Sequence, residues 1–184
     1  LKWKKGDLIA TSPITFISSV NTIEHSGAKP LFIDINLSDY CMDPVKLEEA
    51  LIKDKLKKIK AVIVTDFGGQ PAKWKKFFEL KKKYKINLIN DNCHSMGSAI
   101  NNDIGYASKY ADMVSLSFHP VKAITTGEGG AILTNNKKFD LKAKLLRSHG
   151  IERNDKTFWS YEVNSLGYNF RLPDINCALG ISQL

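Results

Sequence analysis

The stretch "KAVIVTDFGGQPAKWKKFFELKKKYKINLIND", residues 60–91, decides the fold class. It contains two short apolar runs, "KAVIVTDF" (60–67) and "NLIND" (87–91), on either side of a lysine-rich segment. Runs that are apolar almost without interruption suit strands covered on both faces, as in a mostly parallel sheet. The segment between them predicts a helix over 71–84 with Pro71 at its first position. In it Trp74, Phe77, Phe78 and Leu80 interleave with lysines, giving one apolar and one solvated basic face.

Working outward, the same alternation recurs. Further strands are expected at "DLIAT" (7–11), "PLFIDI" (30–35), "DMVSLSF" (112–118) and "GAILTN" (130–135). Helices are expected at "TFISSVNTIEHSG" (15–27), at "DPVKLEEALIK" (43–53), where Asp43 is the N-cap and Pro44 the first helical residue, and in "PDINCALGISQL" near the end. This is an α/β pattern: a mostly parallel mixed sheet with helices on both faces. Ligands of such sheets bind beyond the C-terminal ends of the parallel strands. Thr11, Asp66, Asp91 and Ser117 all lie at or just past those ends, so they are expected to converge.

Composition narrows the function classes. At 184 residues and 43% hydrophobic content the chain can bury a real core. A net charge of +8 invites a nucleic-acid reading, but the excess sits in "LKWKK" (1–5), "KDKLKKIK" (53–60) and "KWKKFFELKKKYK" (73–85), which read as solvated surfaces. No apolar run approaches the roughly 18 residues of a membrane span. Cys41, Cys93 and Cys177 are far apart, without a C-x-x-C pair, which argues against a zinc site or disulfide framework and suits a reducing compartment such as the cytoplasm. The chain opens on Leu1 and ends in "LGISQL", inside a helical pattern, so a fragment is expected.

Lys122 stands in "SLSFHPVKAITTGEGGAILTNN" (115–136), in a polar turn between two apolar runs and 31 residues after Asp91. That interval fits one crossover, which lets both side chains reach one crevice. A lysine and an aspartate so placed are what pyridoxal phosphate chemistry requires: the amine condenses with the cofactor aldehyde, and the carboxylate keeps the pyridine nitrogen protonated. Ser117 could donate to the cofactor phosphate. Plainer roles stand beside these: a turn aspartate for Asp91, a packed histidine for His94, a strand-end cap for Ser117. "TTGEGG" lacks the spacing of a phosphate-binding P-loop, and no G-x-G-x-x-G follows an early strand.

Taken together, "TSPITFISSVNTIEHSGAKPLFIDI", "DNCHSMGS", "SFHPVKAITTGEGGAILTN", "LRSHG" and "LGYNFRLPDINCALGISQL" resemble the DegT/DnrJ/EryC1/StrS family of sugar aminotransferases, over essentially the whole chain. The resemblance implies the aspartate aminotransferase fold. The chain would form the central part of the pyridoxal-phosphate-binding large domain, without an N-terminal segment and a C-terminal small domain. It assigns the Schiff base to Lys122, the pyridinium partner to Asp91, a phosphate contact to Ser117 and a place near the phenolic oxygen to His94. It also implies that Phe16 stacks on the ring and that Asn169 and Arg171 belong to a segment reaching into the partner subunit's site. A histidine at position 122 would point to the family's dehydratase branch, so the lysine favours transamination. Within the family the motifs look most like those of enzymes that aminate C4 of a UDP-linked 4-keto-6-deoxy-N-acetylhexosamine. The implied partners are a nucleotide-sugar substrate, L-glutamate and a second identical subunit. A catalytically idle relative that binds pyridoxal phosphate is the alternative.

Overall fold

The computed structural model describes residues 1–153, 157 and 159–184. A six-stranded sheet carries the site. Its strands are β1 (Leu8–Thr11), β2 (Lys29–Phe32), β3 (Ile59–Thr65), β4 (Asn87–Asp91), β5 (Met113–Ser117) and β6 (Gly130–Leu133), in the spatial order β2-β1-β3-β4-β5-β6. All neighbours pair in parallel except β6, which runs antiparallel to β5. All six expected strands are therefore present, and the sheet is mostly parallel and mixed.

Both faces of the central strands are covered, which explains their unbroken apolar runs. Successive strand residues point to opposite faces. Ile9, Ala61 and Ile63 pack with Ile23 of α1 (Ile17–His25) on one side. Ala10, Val62, Val64 and Leu88 pack on the other, against Leu47 and Leu51 of α2 (Pro44–Lys53), Trp74, Phe77 and Leu80 of α3 (Trp74–Tyr84), and Tyr106 of α4 (Tyr106–Tyr110). The α3 face that carries the lysines looks outward, with Lys81 paired to Asp112 and Lys83 to Glu48.

Local signals placed most helix ends. Asp43 caps α2 by accepting from the Val45 N–H at 2.8 Å. Pro71, expected to open α3, lies three residues ahead of its first residue, Trp74. The cause is Asp66, whose Oδ1 accepts from the Ala72 N–H and from Trp74 Nε1, each at 2.8 Å, and so holds the intervening chain as a turn. Beyond the sheet lie α5 (Lys137–Arg147), a hairpin of β7 (Ile151–Arg153) and β8 (Tyr161–Val163), and α6 (Asp174–Ile181). Of these, only α6 was expected. No helix among the described residues is long and apolar enough to cross a membrane.

Candidate active site

The site grows out of strand register. Thr65 at the end of β3 lies beside Asp91 at the end of β4, and Asp91 lies beside Ser115 of β5. In a parallel sheet, residues level with one another point to the same face, and so does a residue two positions on. Thr65, Asp91, Ser115 and Ser117 therefore share the α1 face at the C-terminal edge of the sheet.

Asp91 is 7% exposed, and α1 closes over it. Ser19 of α1 donates its Oγ hydrogen to Asp91 Oδ2 at 2.9 Å, and Thr65 Oγ1 approaches the same oxygen at 3.4 Å. Thr65 in turn shares a 2.9 Å hydroxyl contact with Thr15. Oδ1 receives the Cys93 N–H at 3.3 Å. A carboxylate has about four lone-pair positions, so this arrangement anchors one oxygen and leaves acceptor capacity on the other.

Lys122 is half-buried in the turn between β5 and β6. Its own N–H donates to the His119 carbonyl at 3.0 Å, while the turn is closed by Thr126 N–H to Phe118 O at 3.0 Å and Phe118 N–H to Gly129 O at 2.9 Å. Gly129 adopts φ +152°, and a Cβ there would meet Thr126 Oγ1 at 2.6 Å, so this return needs glycine. Lys122 takes part in none of the ion pairs among the described residues. Its charge is nevertheless felt next to Asp91. Burial, followed by the Asp91 carboxylate, pushes the Cys93 thiol up to about 12, and the Lys122 ammonium opposes that rise. Cys93 thus senses the acidic and the basic group together.

The remaining expected residues divide. Ser117 sits at the tip of β5 with its Oγ accepting the His119 N–H at 3.3 Å. His94 is exposed, its Nδ1 facing the Gly68 N–H at 3.4 Å and its ring edge-on to Phe67. Phe16 is the extended N-cap of α1 and is 67% exposed. Asn169 bridges to Ser148, and Arg171 lines a separate cleft with Glu128, Gly129 and Phe170. No described contact joins either residue to Asp91 or Lys122.

Asp66 does not join the crevice. It is fully buried on the opposite face, where it also accepts from Asn90, Asn92 and the Tyr106 hydroxyl, the last at 2.7 Å. Burial raises its carboxyl above the ordinary range, with these donors pulling the other way. Thr11 is also fully buried, and its hydroxyl has no partner among the described residues. Sequence reasoning missed Ser19 and Thr65 as partners of Asp91, and Thr15 as the partner of Thr65, because serine and threonine are common at helix starts and strand ends. The available signal was their placement beside the strand that ends in Asp91.

Comparison with known proteins matches residues 1–184 to the DegT/DnrJ/EryC1/StrS aminotransferase family. The chain belongs to that family. Among curated members it is 45% identical over 180 residues to UDP-4-amino-4,6-dideoxy-N-acetyl-beta-L-altrosamine transaminase of Campylobacter jejuni, a match covering 98% of this chain and 46% of the relative. It is 38% identical to the Helicobacter pylori enzyme of the same name, over 96% of this chain and 44% of that one. Among solved members, Helicobacter pylori PseC, an aminotransferase involved in the biosynthesis of pseudoaminic acid, superposes with a TM-score of 0.87 at 36% identity, covering 97% of this chain and 46% of PseC. Spr1654 of Streptococcus pneumoniae, a putative sugar aminotransferase solved in its PMP form, superposes at 0.85 and 26% identity over 98% of this chain and half of its own. The chain thus spans about half the length of the family members it matches.

Proposed function

We propose that residues 1–184 form the central part of the pyridoxal-phosphate-binding large domain of a nucleotide-sugar aminotransferase, which moves an amino group from L-glutamate to a 4-keto-6-deoxy nucleotide sugar. The observation that carries this reading is the anchored carboxylate of Asp91, with one oxygen held by Ser19 and Thr65, on the same sheet face as Ser117 and close enough to Lys122 for Cys93 to sense both charges.

The donor set fits pyridoxal phosphate. Asp91 would hold the ring nitrogen through Oδ1, which accepts the Cys93 N–H at a long 3.3 Å. Lys122, free of ion pairs among the described residues, would hold the aldehyde carbon. Ser117 would offer a hydroxyl to the phosphate, His94 would lie near the phenolic oxygen, and the exposed Phe16 would be available to stack on the ring. When bound, the cofactor supplies an electron sink that stabilises a carbanion next to the transferred nitrogen. Asp91 sustains that sink by keeping a cation beside a buried negative charge. The Lys122 amine would carry the proton in both halves of the transfer. No described contact joins Asn169 or Arg171 to Asp91 or Lys122, which suits action in the site of a second identical subunit. Exposed Leu166, Tyr168, Phe170 and Ile175 around them give such a homodimer apolar surface to bury. The assignment to UDP-linked N-acetylhexosamines rests on the Campylobacter and Helicobacter relatives, and the three free cysteines suit the cytoplasm.

The native protein should show a visible absorbance band that disappears in Lys122→Ala. Borohydride reduction followed by peptide mapping should place the cofactor on Lys122, and trapping on another lysine would overturn the assignment. Amine transfer from L-glutamate to a UDP-4-keto-6-deoxy sugar, followed by 2-oxoglutarate release, tests the substrate class. A bound cofactor with no transfer would instead mark an idle relative.

A further inference from the structure

The turn that carries Lys122 is held from outside the sheet by α6. The side-chain amide of Gln183, just past the end of α6, makes a two-pronged contact with the backbone of Thr125: Gln183 Oε1 accepts the Thr125 N–H at 3.1 Å, and Gln183 Nε2 donates to the Thr125 carbonyl at 2.7 Å. In the first turn of the same helix, Asn176 Nδ2 donates to the Thr126 carbonyl. The fit between helix and turn is close. A Cβ on Gly180 would come within 2.9 Å of Thr126 Cγ2, and one on Gly127 within 3.7 Å of Asn176 Nδ2. Thr125 and Thr126 are also the residues that close the turn onto Phe118, through Thr125 Oγ1 to Phe118 O at 3.0 Å and Thr126 N–H to Phe118 O at 3.0 Å. Lys122 lies inside that closed segment.

We propose that Gln183 and Asn176 are positioning residues for Lys122, clamping residues 125 and 126 so that the lysine is presented in one orientation. The functional half of this proposal rests on the aminotransferase reading above. Neither side chain touches the reacting groups. A paired amide–backbone contact fixes rotation of the turn as well as its distance, which a single hydrogen bond does not. Catalysis is sensitive to such placement, because a misplacement of about 1 Å can cost on the order of a hundredfold in rate. Gln183 is exposed, so its truncation removes the clamp without opening the core.

The test uses the native protein with Gln183→Ala, Asn176→Ala and, as a control on the same helix end, Ser182→Ala. The Ser182 hydroxyl donates to the Leu179 carbonyl of its own helix. Hydrogen exchange read by mass spectrometry should show the 118–129 peptide exchanging about tenfold faster in the first two variants, with β4 peptides and the melting temperature nearly unchanged. Steady-state kinetics should show kcat falling about tenfold while KM for L-glutamate and for the keto sugar stays within twofold, and Ser182→Ala should match the parent in both measurements. Unchanged exchange in Gln183→Ala overturns the clamp. Faster exchange with unchanged kcat, or a loss confined to KM, overturns its positioning role. If the parent protein neither binds cofactor nor transfers amines, the aminotransferase reading fails instead, and the exchange measurement alone decides the clamp.

Discussion

Ser19 Oγ donates a 2.9 Å hydrogen bond to Asp91 Oδ2 across 72 positions of sequence, tying the first turn of α1 to the tip of β4. Both residues are buried. This contact joins the helix over one sheet face to the carboxylate on which the proposed chemistry depends.

Ser19→Ala leaves Asp91 Oδ2 with the 3.4 Å approach of Thr65 as its remaining side-chain donor. A hydrogen bond to a charged group contributes about 1.5–3 kcal/mol, so a stability loss in that range is expected in urea titrations. Cofactor retention should weaken as well, seen as faster decay of the visible band on dilution. An unchanged melting curve and an unchanged band would mean that the carboxylate does not need this anchor.

Asp66→Asn should be more damaging than its conservative look suggests. The wild-type carboxylate accepts from the Ala72 N–H, Trp74 Nε1, Asn90, Asn92 and the Tyr106 hydroxyl. An amide replaces one acceptor oxygen with an NH2 group that faces donors, and a destabilisation of roughly 3 kcal/mol follows from unmet buried hydrogen bonds. Chemical denaturation with an unchanged m-value would measure it. A loss below about 0.5 kcal/mol would contradict the role assigned to this hub.

Cys93 should be a slow thiol. The thiolate is the reactive form, and a free cysteine titrates near 8.5. With the Cys93 thiol pushed up to about 12 by burial and by Asp91, alkylation by iodoacetamide at pH 8 should run on the order of a thousandfold below a free cysteine, rising as pH rises toward 12 and becoming fast on unfolding. Because the Lys122 cation opposes the rise, Lys122→Ala in the cofactor-free protein should slow the reaction further. Acceleration in that variant would place the lysine elsewhere.

Gly150→Ala should disrupt the junction between α5 and β7. Gly150 adopts φ +71°, and a Cβ there would lie 1.8 Å from the Ser165 carbonyl oxygen. Backbone has to move, so a loss above about 3 kcal/mol is expected, with exchange protection falling first in α5 and the β7–β8 hairpin.

The sheet was legible because its strands are covered on both faces, which leaves runs such as "AVIVT" with no alternation to mistake for anything else. The place of Asp91 at the C-terminal edge of the sheet was legible for a related reason, since strand ends are marked where apolar runs give way to polar residues. Position along the chain, however, does not specify which face a strand-end residue takes. Asp66 and Asp91 look alike in sequence and point to opposite sides. The start of α3 was misplaced because Pro71 is a strong local signal, whereas the Asp66 contacts that keep residues 71–73 out of the helix come from the preceding strand end. α5 was missed although Asn136 caps it by accepting the Lys138 N–H at 2.9 Å, because five of its eleven residues are Lys or Arg, which blur the apolar stripe. The hydroxyls around Asp91 were not legible, because their meaning comes from α1 folding back over β4.

Adjacent residues of β4 carry different duties: Asn90 serves the buried network around Asp66, and Asp91 the open crevice. Inserting or deleting one residue within this strand would exchange the two, turning an amide toward Ser19 and Thr65 and a second acid toward Asp66. Length variation tolerated during divergence or redesign should therefore collect in residues 92–105, downstream of the strand, while inside β4 even a single-residue change would be lethal to both halves of its work.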